Sequence, residues 1–516
     1  MIHDLSTATE ASVAEATEEA ILAAEALVAS AVTSTGAGFA ERIQPLDRAM
    51  ERIQDAHGYG PLLANFHPDE AVRNAGNAAQ QALATWATDL VSRTEVFEAV
   101  SAVDTDALEG LERRSADEWI RDLRRAGHEL DRTGRERVRS LQERLITLQV
   151  EFARNIADHE GHLDVPRADL DALPESYVAS LESGDAPGTV RVTLDYPAYV
   201  PFMEQSPRRD QRRELQYRYL TRAVEDNRPL LEEALAIRAE IAELLGYDNW
   251  AAYAMDVKMA DPASVEALYD SVVPGLARLA LAEKARLEDL LHEDVPGADL
   301  EPWDRQYYHT VQQKRDFGID QNEVAEYFSL DTVVRGMLEV TGEVFGLRYA
   351  ELPDHPTWHQ DVRTFRIEDT GTGASIALFH LDLHPRAGKF THAACWNVVD
   401  RRRDEDGSVR TPVAAVAANF TKPTGDTPSL LKHDEAVTLW HEFGHVLHAC
   451  LTEIDVQRFA GFDTEWDFVE APSQMLQEWV WDYDTISRFA KNSDGEAIPA
   501  ELLNKMIAAR DIGLGS

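Results

Sequence analysis

The chain has 516 residues, 92 of them acidic against 50 basic, for a formal charge of −42. That surplus repels nucleic acid and anionic lipid, so neither is expected as a partner. The length exceeds what one simple core organises and predicts two lobes, while two cysteines, Cys395 and Cys450, far apart and without CxxC spacing, exclude a disulfide framework.

The amino terminus carries Asp4, Glu10, Glu15, Glu18 and Glu19 with no basic n-region, and no apolar run approaches the length of about 18 residues that a membrane helix needs. The expectations are no signal peptide, no membrane span, a cytoplasmic location and a monomer. Residues 1–160 read as successive amphipathic helices forming an N-terminal lobe. The clearest stripe runs through Val138, Leu141, Leu145, Leu148 and Phe152 at three-four spacing. Between 161 and 201, Pro166, Pro174, Gly184, Pro187, Gly188, Pro197 and Pro201 punctuate short apolar pieces such as Val190 to Leu194, and the segment reads as a connecting region.

A second lobe is expected over 202–516. Its first helical stripe, Leu231, Ala234, Leu235, Ile241 and Leu245, stops at Gly246, a suitable C-terminal cap. The aromatic run Trp303 to Tyr308 is read as core packing. Between about 358 and 420 the period changes from helical to alternating. Phe365 and Ile367, then Ala377, Phe379, Leu381 and Leu383, then the apolar run Val413 to Phe420 are predicted strands of a small antiparallel sheet. An edge strand of such a sheet can hold an extended peptide by main-chain hydrogen bonds. The loop Thr421 to Ser429, with Pro423, Gly425 and Pro428, leads into a helix whose first turn holds Asp434 and Glu435, acidic residues that suit the helix dipole.

That helix carries His441-Glu442-Phe443-Gly444-His445. Histidines four apart stand one turn above each other, so both imidazoles reach one metal ion, with Glu442 beside them. The apolar side of the helix, Val437, Trp440, Gly444, Leu447 and Leu451, makes the histidines flank a buried face. A catalytic zinc takes three protein ligands and keeps a fourth position for water. Glu470 is the candidate third ligand, with His448 as a competitor. Asp434 or Thr438 is a candidate for holding a histidine ring in its metal-binding tautomer. Pro472 places Glu470 at a helix start or just before a bend, and Met475, Trp479 and Val480 are expected in the core.

Several runs together resemble the thimet oligopeptidase group of zinc metallopeptidases, which includes neurolysin and oligopeptidase A. They are Pro428 to Glu435, His441 to His445 and Phe468 to Gln474, with Pro385 to Lys389, His392 to Cys395 and Ala418 to Pro423 upstream. Weaker similarity extends from about residue 130. The resemblance implies a mainly α, two-lobed, zincin-like metallopeptidase with one Zn2+ per chain. It implies that His441, His445 and Glu470 ligate zinc, that Glu442 is the general base, and that short peptides are the substrates, folded proteins being excluded. The lobe at 202–516 is then the catalytic one. Members of the family continue through a segment bearing a histidine and several tyrosines, whereas here no Tyr or His follows Tyr483. The expectation is therefore a catalytic lobe incomplete at its carboxy-terminal end, ending at residues 511–516 beside an apolar exposed face, able to bind zinc and weakly active alone. A non-catalytic zinc-binding or peptide-binding module of the same fold is the alternative.

Overall fold

Local chemistry starts the helices where the periodicity begins. In the computed structural model, Thr9 and Ser12 form a reciprocal capping box at the head of α1 (Glu10–Thr33). The structure describes residues 4–157, 159–173, 175–319, 321–404, 406–423, 428–510 and 512–515; Pro174, Gly425, Asp511 and Ser516 lie outside them. Helices α2 (Gln44–His57), α3 (Glu70–Ser92), α4 (Gly110–Arg125) and α5 (Arg132–Ala157) follow. Val138, Leu141 and Leu148 of the α5 stripe are buried as expected. Among the described residues, no helix is long and apolar enough to cross a membrane.

The segment read as a connection carries strands β1 (His162–Pro166), β2 (Glu182–Ser183) and β3 (Thr189–Thr193), which pair antiparallel in the order β1-β3-β2. It has its own core, in which Val165, Val190 and Val192 pack with Phe202, Met203 and Leu215. Next come α6 (Arg209–Thr221), α7 (Val224–Leu244), α8 (Pro262–Asp294) and α9 (Pro302–Gln312). On α7 the buried stripe is Ile237 and Ile241 with Leu230 and Ala234 against them, while Leu231 and Leu235 are exposed. Ala234, Ile241 and Leu245 of the predicted stripe lie in this core, while Leu231 and Leu235 are corrected to the outer face, Leu230 and Ile237 taking the inner positions. Gly246 does cap this helix region, with φ +80°. On α9, Asp304 is fully buried and takes the guanidinium groups of Arg209 and Arg212, so the aromatic run around it is structural.

Then follow α10 (Leu330–Phe345), β4 (Leu347–Glu351), β5 (Arg363–Asp369), β6 (Ser375–Asp382), β7 (Ala394–Val399), β8 (Val413–Ala417), α11 (His433–Cys450), α12 (Ala471–Glu478) and α13 (Ala500–Arg510). The sheet has five strands in the order β4-β5-β6-β8-β7. It is antiparallel except for β6 and β8, which run parallel with Ala415 opposite His380. This corrects the purely antiparallel expectation, and the physical reason is the long crossover through β7 that separates β6 from β8 in the chain. Strand β8 is buried at every position; Ala414, opposite Phe379, lies on the face that packs against α11. The Arg386 and Lys389 motif is a polar clamp rather than a site. Asp382 accepts from Trp358 Nε1 at 2.8 Å and Arg386 Nη1 at 2.7 Å, and Lys389 Nζ lies 3.0 Å from it.

Contacts divide the chain into two units interleaved in sequence. The first is Met1–Arg135, Val257–Met259 and Gln321–Ile498, and the second is Glu136–Asp256, Ala260–Asp320 and Pro499–Ser516. Within the first, Tyr59, Leu62 and Phe66 share a core with Trp358, Val413, Ala415 and Ala417, so the amino-terminal helices pack on the sheet that supports α11. Within the second, the backbone amides of Gly513 and Gly515 donate to Glu283 on α8. Leu268, Tyr269, Val272, Val273, Leu276 and Leu279 of α8 are exposed, as is Leu514.

Candidate active site

Helix α11 is buried along most of its length; Ala436, Leu439, Trp440, Phe443, Val446 and Leu447 are all inaccessible. Its head is closed by Glu435, whose carboxylate accepts from the Lys432 amide at 2.8 Å. Asp434 is exposed and Thr438 Oγ1 donates to the Asp434 carbonyl, so neither holds a histidine ring. That expectation is corrected: His441 Nδ1 donates instead to Oε1 of Gln477 on α12, at 2.8 Å.

Glu470 is the N-cap residue of α12, and Pro472 sits in its first turn, where proline's missing N–H costs nothing. Ser473 Oγ donates both to the Glu470 carbonyl at 2.9 Å and to its carboxylate Oε2 at 2.7 Å. The two helices approach closely because Gly444 lies between the histidines. A Cβ there would lie 2.5 Å from Ser473 Cα, well inside contact distance. Close approach brings Glu470 Oε2 to 3.1 Å from His441 Nε2 and 3.2 Å from His445 Nε2. The three ligand atoms all lie within 4.8 Å of one another.

The chemistry of this donor set fits a metal ion. With its Nδ1 proton donated to Gln477, His441 turns the Nε2 lone pair towards a carboxylate oxygen. A carboxylate oxygen 3.1 Å from an imidazole Nε2 calls for a positive charge between the two atoms, supplied by a metal ion or by the proton of an imidazolium. Two imidazole nitrogens and one carboxylate oxygen are the donors zinc takes when a further position stays open. Glu442 is buried, and burial above all pushes its carboxyl up to about 7, with the Glu470 charge adding to the shift and His441 opposing it. Among the described residues it has no hydrogen-bond partner. Burial works against the charged form of Glu470, but the Ser473 hydroxyl and the two imidazoles outweigh it and hold the carboxyl below its ordinary value.

His448 does not join this group; its ring packs edge-on to Phe468 and its Nδ1 is buried without a hydrogen-bond partner. The core expectation holds for Val480, whereas Met475 is exposed because it falls on the outer side of α12. Sequence reasoning missed Gln477 altogether. The available signal was its spacing, seven residues beyond Glu470, which returns to nearly the same face of a helix.

Residues 202–515 match the family described as Peptidase family M3. The thimet-like oligopeptidase of Dictyostelium discoideum is 29% identical over 500 residues, covering 92% of this chain and 74% of that protein. Oligopeptidase A of Salmonella typhimurium is 32% identical over 418 residues, or 78% of this chain and 61% of that protein. Oligopeptidase A of Haemophilus influenzae is 30% identical over 490 residues, or 91% and 72%. The chain thus spans between 61% and 74% of the length of these relatives.

Proposed function

Since the chain belongs to peptidase family M3, we propose that it is a zinc-dependent oligopeptidase in which His441, His445 and Glu470 hold the metal and Glu442 is the general base. The observation that carries this reading is the convergence of the three donor atoms within 4.8 Å, with an unengaged, buried carboxylate one residue from the first histidine. Zinc, when bound there, supplies a Lewis acid that makes water nucleophilic near neutral pH and polarises a carbonyl. Glu442 takes a proton from the attacking water as the O–C bond forms, and delivers it to the amine nitrogen as the C–N bond breaks. Burial raises the Glu442 carboxyl from its ordinary value, the direction that suits a group that both accepts and releases a proton. The substrates proposed are short peptides, the class that the oligopeptidase relatives' names give.

Glu442→Gln tests the assignment. Zinc content, expected at about one per chain, and thermal midpoint should match wild type, while hydrolysis of a short fluorogenic peptide should be abolished. Equal turnover in both proteins would remove Glu442 as the base. Absence of turnover in both, with zinc retained, would favour a non-catalytic zinc-binding or peptide-binding module of the same fold.

A further inference from the structure

We infer that Gln477 is a positioning residue for the metal, setting the tautomer and ring orientation of His441 from the same helix that delivers Glu470. The inference rests on the metal-site reading above. Glu470 opens α12 and Gln477 lies seven residues on, near its end. That separation is close to two full helical turns, so both side chains leave α12 on the side facing α11. The two histidines are one turn apart on α11. Each helix therefore contributes a pair of residues at whole-turn spacing, and the pairs interlock: Glu470 meets both Nε2 atoms while Gln477 meets His441 Nδ1 from behind.

An imidazole whose Nδ1 bears the proton has its lone pair on Nε2, the atom that must donate to a metal. The 2.8 Å contact to Gln477 Oε1 selects that tautomer and restricts rotation of the ring about its Cβ–Cγ bond. The partner is a neutral amide, so it orients the ring without adding charge to the site. Gln477 is half-buried and its acceptor is spent on His441, which leaves Ser473 to hold Glu470. Orientation of the two ligands is thus divided between two α12 side chains four residues apart.

Outer-sphere partners of this kind are commonly worth about 10- to 100-fold in metal affinity. The test is zinc affinity of the whole chain, measured by competition with a chromogenic chelator, so that no peptidase assay is needed. Gln477→Met keeps the length and shape of the side chain but removes the acceptor, and should weaken zinc binding by about 10- to 100-fold with the metal-free thermal midpoint unchanged. Gln477→Glu restores an acceptor at the same reach and should bind zinc at least as tightly as wild type. Wild-type affinity in Gln477→Met overturns the inference, as does a Gln477→Glu protein that folds but binds more weakly than the Met variant. If Gln477→Met fails to fold, the Glu variant decides alone: retained affinity supports the role, and a tenfold or greater loss overturns it. Wild-type protein that takes up no zinc would overturn the underlying metal reading, and this inference with it.

Discussion

Among the described residues, two groups of side chains bring one imidazole-or-carboxylate atom each to within 4.8 Å of the others: His441, His445 and Glu470, and His162, Asp164 and Asp185. Both exploit the repeat of their element. The first uses i and i+4 on a helix; the second uses i and i+2 on β1, with the third residue in the turn between β2 and β3. They differ in what else the donors touch. Among the described residues, a hydroxyl and two imidazoles surround the Glu470 carboxylate. Asp185 is bound by Arg191 Nη2 at 2.5 Å, and Asp164 lies 3.6 Å from Arg191 Nε while accepting the Asp185 amide at 2.8 Å. An arginine already stands where a cation would go in the second group. Convergence alone does not separate the two groups; Arg191 among the donors of the second, and the buried Glu442 carboxylate beside the first, do.

The largest expected effect separates the two groups directly. His441→Ala should abolish zinc binding and peptide hydrolysis, whereas His162→Ala should leave zinc content at about one per chain. Metal analysis of both variants checks this, and a drop in the His162 variant would place the second group on an equal footing with the first.

A smaller effect probes how each group is built. The helical group depends on close approach of α11 and α12, so Gly444→Ala, with its methyl 2.5 Å from Ser473 Cα, should strain that contact. A loss of about 1–3 kcal/mol of stability is expected from overpacking, with zinc affinity lowered alongside it. Urea unfolding of the metal-free chain measures the first quantity and chelator competition the second. Unchanged values for both would mean that the helices shift without cost.

The smallest effect lies in the β-hairpin group. Asp164 is held below the ordinary carboxylate range, first by the Asp185 amide and then, after the opposing effect of burial, by Arg191. A carboxyl lowered in this way stabilises the fold above its unfolded pKa of about 3.9, and that contribution fades as pH falls through the folded value. Arg191→Met should therefore raise the pH of acid unfolding slightly, because the amide hydrogen bond remains. It should also expose a weak divalent-cation site, detectable by calorimetry with zinc. No shift and no binding would show that the arginine does not hold these carboxylates apart from a metal.

Spacing along the chain was enough to place much of this molecule. The α5 stripe, the α11 helix with its two histidines, Glu470 at the start of a helix containing Pro472, and the strands through Phe365, Phe379 and Val413 all follow from periods of 3.6 and 2 and from where proline is tolerated. The paired histidines and the candidate third ligand were legible because the first two are local neighbours on one helix and the third belongs to a motif with its own turn chemistry. Strands β4 and β7 were missed, being short and mixed in character, and the parallel pairing of β6 with β8 was missed because partner choice is not encoded in the alternation of a single strand. Leu231 was placed in the α7 stripe in error for a related reason: Leu230 and Leu231 both satisfy a helical stripe, and only the neighbouring helix chooses between them. Gln477 and Arg191 are the cases that bear on function. One accepts from a proposed metal ligand and the other pairs with the acidic residues of a competing donor group, yet neither contact has a pattern of its own. Hydrogen bonds and ion pairs between segments distant in the chain depend on side-chain positions in three dimensions, which packing sets after the local elements have formed.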